Sequence, residues 1–204
     1  MRNPLQKRLG RELISDLGKY LVIFVFLAGL ISLVSGFLVA DNSMIAAYNE
    51  SFEKYQIEDG NFTLSQKADA SMLEQLETDQ NLHIYENFYI EETTKEVEST
   101  LRIFINRTEV DKVCLMDGSF PETTSEIAID RMYADNNDLT VGDTLTVGGK
   151  EMHISGLVAL SDYSALFSDP SDMMFDSIKF GVAIVTEETF DAFGDAHFHA
   201  SYAW

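Results

Sequence analysis

The sequence predicts an α+β protein: a single N-terminal transmembrane helix with a helical stalk, followed by a mixed α/β extracytoplasmic domain that contains β-hairpins. Three observations carry this expectation. Residues 20–40 form an apolar run, YLVIFVFLAGLISLVSGFLVA, with no ionisable side chain except its first, Tyr20. A helix of that length spans about 30 Å, the thickness of a bilayer's hydrocarbon core, and a backbone in lipid must satisfy its own polar groups. Residues 42–55 continue without Gly or Pro, and Met44, Tyr48, Phe52 and Tyr55 fall on one helical face. Further on, short alternating apolar runs separated by turn residues read as strands, the clearest pair joined by Gly148-Gly149.

Charge assigns the two sides. The chain of 204 residues has a net charge of −20, from 14 basic and 34 acidic residues. Arg2, Lys7, Arg8, Arg11 and Lys19 precede the apolar run against only Glu12 and Asp16, so all the negative excess lies after Ala40. Basic flanks stay on the cytoplasmic side, which puts the N-terminus inside and residues 41–204 outside. An outer domain this acidic is a poor partner for nucleic acid or anionic headgroups. The apolar run exceeds the h-region of a signal peptide, and Leu38 stands where a cleavage site prefers a small residue, so an uncleaved anchor is expected. The single cysteine, Cys114, excludes an intrachain disulfide; within VCLM it reads as a buried structural thiol.

In chain order, Leu5, Leu9, Leu13 and Leu17 recur every fourth residue beside Lys7, Arg8 and Arg11, the pattern of a basic amphipathic helix on the inner membrane surface. The expected divisions are 1–19 for this cytoplasmic segment, 20–40 for the membrane helix, 41–55 for the stalk and 56–204 for the outer domain. Glu58-Asp59-Gly60-Asn61 reads as a turn. A short strand at 62–64 is followed by a helix over 66–79 capped by Ser65. Leu82, Ile84, Phe88 and Ile90 predict a strand with an irregularity near Glu86-Asn87, which pairs with the alternating strand at Leu101, Ile103 and Ile105. An apolar stretch at 113–116 ends in turn residues 117–121. A strand at 126–130 leads to a helix at 131–136. The hairpin 142–160 sets Leu145 and Val147 on a face with Met152 and Ile154, and Gly156 breaks its second strand at a bulge. Residues 161–179 read as a loop in which Met173, Met174 and Phe175 either enter the core or meet a partner. GVAIVT at 181–186 reads as a buried strand, Thr186 as the cap of a helix ending at Gly194, and the last stretch as a strand. A chain ending on a strand-like run at Trp204 reads as the N-terminal part of a longer protein.

Motifs that carry chemistry are few. Gly148-Gly149-Lys150 lacks the glycine spacing of a phosphate-binding loop, no GxSxG occurs, and Asp135-Asn136-Asn137-Asp138 departs from the calcium-loop pattern at Leu139. The one ligand-like pair is His197 and His199, which share a face if strand alternation holds, with Asp191 or Asp195 as a carboxylate neighbour. A plain strand is the favoured reading, so no catalytic residue, metal or cofactor is expected. Asn61-Phe62-Thr63 and Asn106-Arg107-Thr108 are glycosylation sequons that matter only in a eukaryotic secretory pathway.

The stretch 125–160, SEIAIDRMYADNNDLTVGDTLTVGGKEMHISGLVAL, resembles the MacB-like periplasmic core domain of FtsX-type ABC transporter permeases. Glu126, Val141, Gly142, Asp143 and Gly156 match its recurrent strand, short helix and Val-Gly-Asp hairpin; with Gly148 and Gly149 they are fold positions, not catalytic ones. The layout of residues 1–55 and the strand-helix element at 181–193 are similar too. The family's three further membrane helices are missing from these residues. The resemblance implies a permease subunit in a bacterial cell membrane, working as a homo- or heterodimer in contact with membrane lipid. A separate ATPase on the cytoplasmic side would drive export or mechanotransmission, and a protein or peptide could engage the outer domain. The alternative is a single-pass, membrane-anchored protein whose outer domain binds a ligand or senses one.

Overall fold

The computed structural model describes residues 14–169 and 171–204. The amphipathic segment thus lies almost wholly outside the described residues, as does Pro170 of the turn expected at 169–172. The chain divides into two compact units, Met1–Glu50 and Ser51–Trp204.

The first unit holds most of helix α1, Leu17–Tyr55, whose 39 residues run without a break through the apolar stretch and the expected stalk. At about 1.5 Å per residue this is about 58 Å of helix. None of its residues is buried, and Phe24, Phe26, Ile31, Phe37 and Val39 are among many large apolar side chains that are exposed. The helix is long and apolar enough to cross a membrane.

The second unit is built on a mixed sheet of ten strands. They are β1 (Asn61–Leu64), β2 (Tyr85–Glu86), β3 (Tyr89–Thr93), β4 (Thr100–Ile105), β5 (Val113–Gly118), β6 (Glu126–Asp130), β7 (Thr144–Val147), β8 (Lys150–Leu160), β9 (Phe180–Val185) and β10 (Phe198–Ala203). Three helices accompany them: α2 (Ala70–Gln80), α3 (Arg131–Asn136) and α4 (Glu187–Phe193). The main path runs β1-β10-β3-β4-β9-β6-β8-β5, with β2 paired to β10 and β7 to β8. The β4–β9 and β6–β8 pairs are parallel; the others are antiparallel.

Local chemistry explains most of these elements. In the β7–β8 hairpin Gly148 and Gly149 take φ of 55° and 79°, the positive pair that a tight two-residue turn needs. Leu145 then opposes Met152, and Val147, Met152 and Ile154 join Leu145 in the core. Asp130 caps α3 by accepting from Met132 N and Tyr133 N at 2.8 and 3.0 Å. This seats Tyr133 in the core, where its hydroxyl meets Ser99 Oγ at 2.6 Å and Ser99 meets Thr94. Thr186 caps α4 through Thr189 N, and all six residues of β9 are buried. The strand expected over 82–90 is divided: Tyr85–Glu86 pairs with β10, and only β3, from Tyr89, forms the antiparallel pair with β4.

Three further expectations are corrected, and one left open is decided. Helix α2 begins at Ala70, not Gln66, and Asp69, not Ser65, stands at its start without a side-chain cap bond. The Tyr202 hydroxyl accepts from Ala68 N at 2.8 Å, which ties the backbone before α2 to the sheet. Gly156 does not break β8, which runs on to Leu160; it marks a register shift against β6 and pairs with Gly118 of β5, whose own shift falls between Leu115 and Asp117. A Cβ there would lie 2.4 Å from Ser119 O, so the strands approach too closely for any side chain. Cys114 is half-buried because β5 is an edge strand. Met173 and Met174 do not enter the core: they are 97 % and 82 % exposed.

Candidate functional site

The second unit concentrates its buried charge where α1 ends. After Tyr55 the chain leaves the helix through Gln56 at φ 50°. The loop between β4 and β5 meets it there: Asp111 N donates to Gln56 O at 3.0 Å and Lys112 N to Tyr55 O at 2.8 Å. Asp111 Oδ1 in return accepts from Glu58 N at 2.9 Å, and the Tyr55 hydroxyl reaches Cys114 Sγ at 3.1 Å. The next residues are held to the end of β10, with Asp59 N and Gly60 N donating to Trp204 O and Trp204 N to Gly60 O.

Behind this junction lies Arg107. Its guanidinium grips Asp162 with two bonds of 2.8 and 2.6 Å, donates to Asn87 Oδ1 at 3.1 Å, and stands 3.9 Å from Asp111 Oδ2. The side chains of Arg107, Asp162 and Asp111 are 8 %, 11 % and 0 % exposed. Burial works against the charge on Arg107, but Asp162 and Asp111 outweigh it and hold the guanidinium firmly protonated. Burial, and then the negative charge of Asp162, push the Asp111 carboxyl up. Burial pushes the Glu58 carboxyl up to about 7, against the hydrogen bond from Asn61 and with help from the charges of Asp111 and Asp162. Three buried polar atoms of this cluster have no hydrogen-bond partner: Glu58 Oε2, Asp111 Oδ2 and Arg107 Nε.

Arg107 and Asn87 border a cleft of about 390 Å³. Asn87 also lines a second, of about 420 Å³, whose walls include Glu58, Tyr89, Arg102, Phe104, Asp162 and Tyr163. Arg102 organises that second cleft. It lies 4.5 Å above the Tyr89 ring, bonds Glu91 at 2.7 Å and Ser168 O at 2.8 Å, and donates to the Tyr163 hydroxyl at 2.9 Å. Burial pushes the Tyr163 hydroxyl up to about 12, partly offset by Arg102. Arg102 and Arg107 together pin the long loop after β8 to the sheet. Each of their charges is met by a carboxylate, and the arrangement joins segments rather than presenting a nucleophile and base.

The residues singled out in the sequence lie elsewhere. Gly142, at φ 97°, and Asp143 form the turn entering β7, where Asp143 Oδ2 accepts from Thr140 N at 2.7 Å and Gly142 N donates to Ile154 O at 2.8 Å. Val141 is partly exposed in that turn. Glu126 starts β6, and bonds from Glu122 N and Thr123 N hold its carboxylate below the usual range. His197 precedes β10 instead of lying in it, so strand alternation does not align it with His199. His197 meets Glu92 at 3.1 Å; His199 stacks on Tyr89 at 4.6 Å and points toward Glu91 at 4.0 Å. Glu91 and Glu92 are consecutive in β3 and face opposite ways. Among the described residues no three His, Cys, Asp or Glu side chains are grouped to hold a metal.

Sequence reasoning missed the Glu58–Arg107–Asp111–Asp162 cluster. Its members come from three loops, and the one local signal, Arg107 and Asp111 four apart, lies outside any helix. No protein-family model matches the chain, and no curated protein matches it significantly.

Proposed function

We propose that the chain is part of a permease subunit of an ABC transporter, with α1 anchoring it in the cell membrane, N-terminus cytoplasmic, and the outer unit transmitting movement driven by a separate ATPase. The observation that carries this reading is the uninterrupted helix of 39 residues, whose apolar half suits a bilayer and whose last turn is hydrogen-bonded to the β4–β5 loop. A simple tether would need no helix beyond the membrane and no buried ion cluster at its end. The charge division, with a basic start and an acidic remainder, supports the orientation. The likeness of 125–160 to the MacB-type core supports the family. The exposed Met173, Met174 and Phe175 offer an apolar contact for an outer protein or peptide.

A flexible Gly-Ser segment inserted between Ala40 and Asp41 of the full-length protein tests the reading. ATP hydrolysis by the co-purified ATPase should persist while transport or outer signalling stops. Transport at the normal rate, or the lack of any co-purifying ATPase, overturns it. The cleft of about 420 Å³ favours a second reading, a membrane-anchored sensor that binds a ligand there. That reading predicts saturable ligand binding with no ATPase partner.

A further inference from the structure

The junction after α1 contains more negative charge than its cation can neutralise. Arg107 commits both terminal nitrogens to Asp162, leaving Asp111 at 3.9 Å. Glu58 and Asp111 are joined through Glu58 N and Asp111 Oδ1, yet Glu58 Oε2 and Asp111 Oδ2 are both buried without a donor. A buried carboxylate oxygen that accepts nothing is strongly unfavourable, and two of them in one cluster doubly so. A single proton removes the conflict, because it turns one acceptor into a donor and cancels one charge.

We propose that Glu58, Asp111, Arg107 and Asp162 form a proton-operated latch, which holds the Tyr55–Glu58 backbone to the β4–β5 loop while one proton is shared between Glu58 and Asp111 and releases it when that proton leaves. The charged and titratable groups facing the shared proton are Asp111 and Arg107 from the β4–β5 loop and Asp162 from the loop after β8, with Tyr163 beside Arg107. The sign follows from Glu58. Its carboxyl titrates at about 7 in the folded chain against an ordinary 4.5, so the closed latch binds the proton more tightly than the open one. The stabilisation is complete below the ordinary value and is lost as pH rises through about 7. Above that, three carboxylates face one guanidinium and Asp111 loses its hold. This inference rests on the cluster alone and stands whether or not the chain is a permease.

Hydrogen exchange of the full chain in detergent, read by mass spectrometry between pH 5.5 and 8.5 and corrected for intrinsic rates, tests it. Peptides covering 56–60 and 108–114 contain the Glu58, Asp111 and Lys112 amides of the latch. Their protection should fall about tenfold across a transition near neutrality, while peptides from β6 and β8 stay constant. Glu58→Gln, which mimics the protonated side chain, should remain protected at pH 8.5. Asp111→Asn offers a second route: without the neighbouring charge Glu58 ionises more easily, and the transition should move to lower pH. Absence of a transition in the wild type, or one that survives unchanged in Glu58→Gln or stays unmoved in Asp111→Asn, overturns the proposal.

Discussion

Arg107 shows how much one side chain can join. Its guanidinium binds Asp162 in the loop after β8 and Asn87 between β2 and β3, and it lies 4.8 Å above the Phe104 ring. Because the pair is almost fully buried, its value shows when it is broken rather than when it is formed. Asp162→Asn leaves the buried cation with Asp111, 3.9 Å away, as its charged partner. We expect it to destabilise the second unit by about 3–5 kcal/mol, measured as a shift in the urea midpoint of the detergent-solubilised chain. A loss below about 1 kcal/mol would mean that Asp111 takes over the charge. Nothing in the pattern around Arg107 distinguishes it from a solvated loop arginine. Its role depends on Asp162, 55 residues further along.

At the scale of elements, the β7–β8 hairpin was legible because its cause is local: Gly148 and Gly149 supply positive φ, and alternation supplies the buried face. The expected cap at Thr186 is of the same kind, a short side chain bonding an amide three residues on; Asp130 caps α3 in the same local way without having been named from the sequence. Gly156 was legible as an irregularity but not as what it is. Its neighbour is the backbone of residue 119 across the sheet, and only the pairing of β5 with β8 puts it there. Gly156→Ala and Gly149→Ala separate the two causes. The first forces a Cβ against Ser119 O and should cost about 2–3 kcal/mol. The second meets no atom within 4 Å and carries only the strain of φ 79°, about 1 kcal/mol. Equal losses in denaturation would refute the close-approach explanation. The start of α2 was misread because Ala68 is held by Tyr202, a contact across 134 residues.

For the whole molecule, the apolar half of α1 and the charge division make one topological prediction. In a Cys114→Ala background, Ser171→Cys should react with a membrane-impermeant thiol reagent added to intact cells, and Ser15→Cys should react only after lysis. Labelling in the reverse order would invert the orientation and with it the proposed place of the ATPase. The sequence by itself determined that a membrane-length helix precedes an acidic α+β unit, since apolar length, charge and residue alternation act over a few turns or strands. It also determined the hairpin and the Thr186 helix cap, whose hydrogen bonds close within a few residues. Only the tertiary structure decided that β10 lies between β1 and β3, that β4–β9 and β6–β8 run parallel, and that Glu58, Arg107, Asp111 and Asp162 meet. The physical reason is that these pairings join segments far apart in the chain. Hydrophobic burial selects among many registers there, and a buried charge is tolerated only where the completed fold brings its partners.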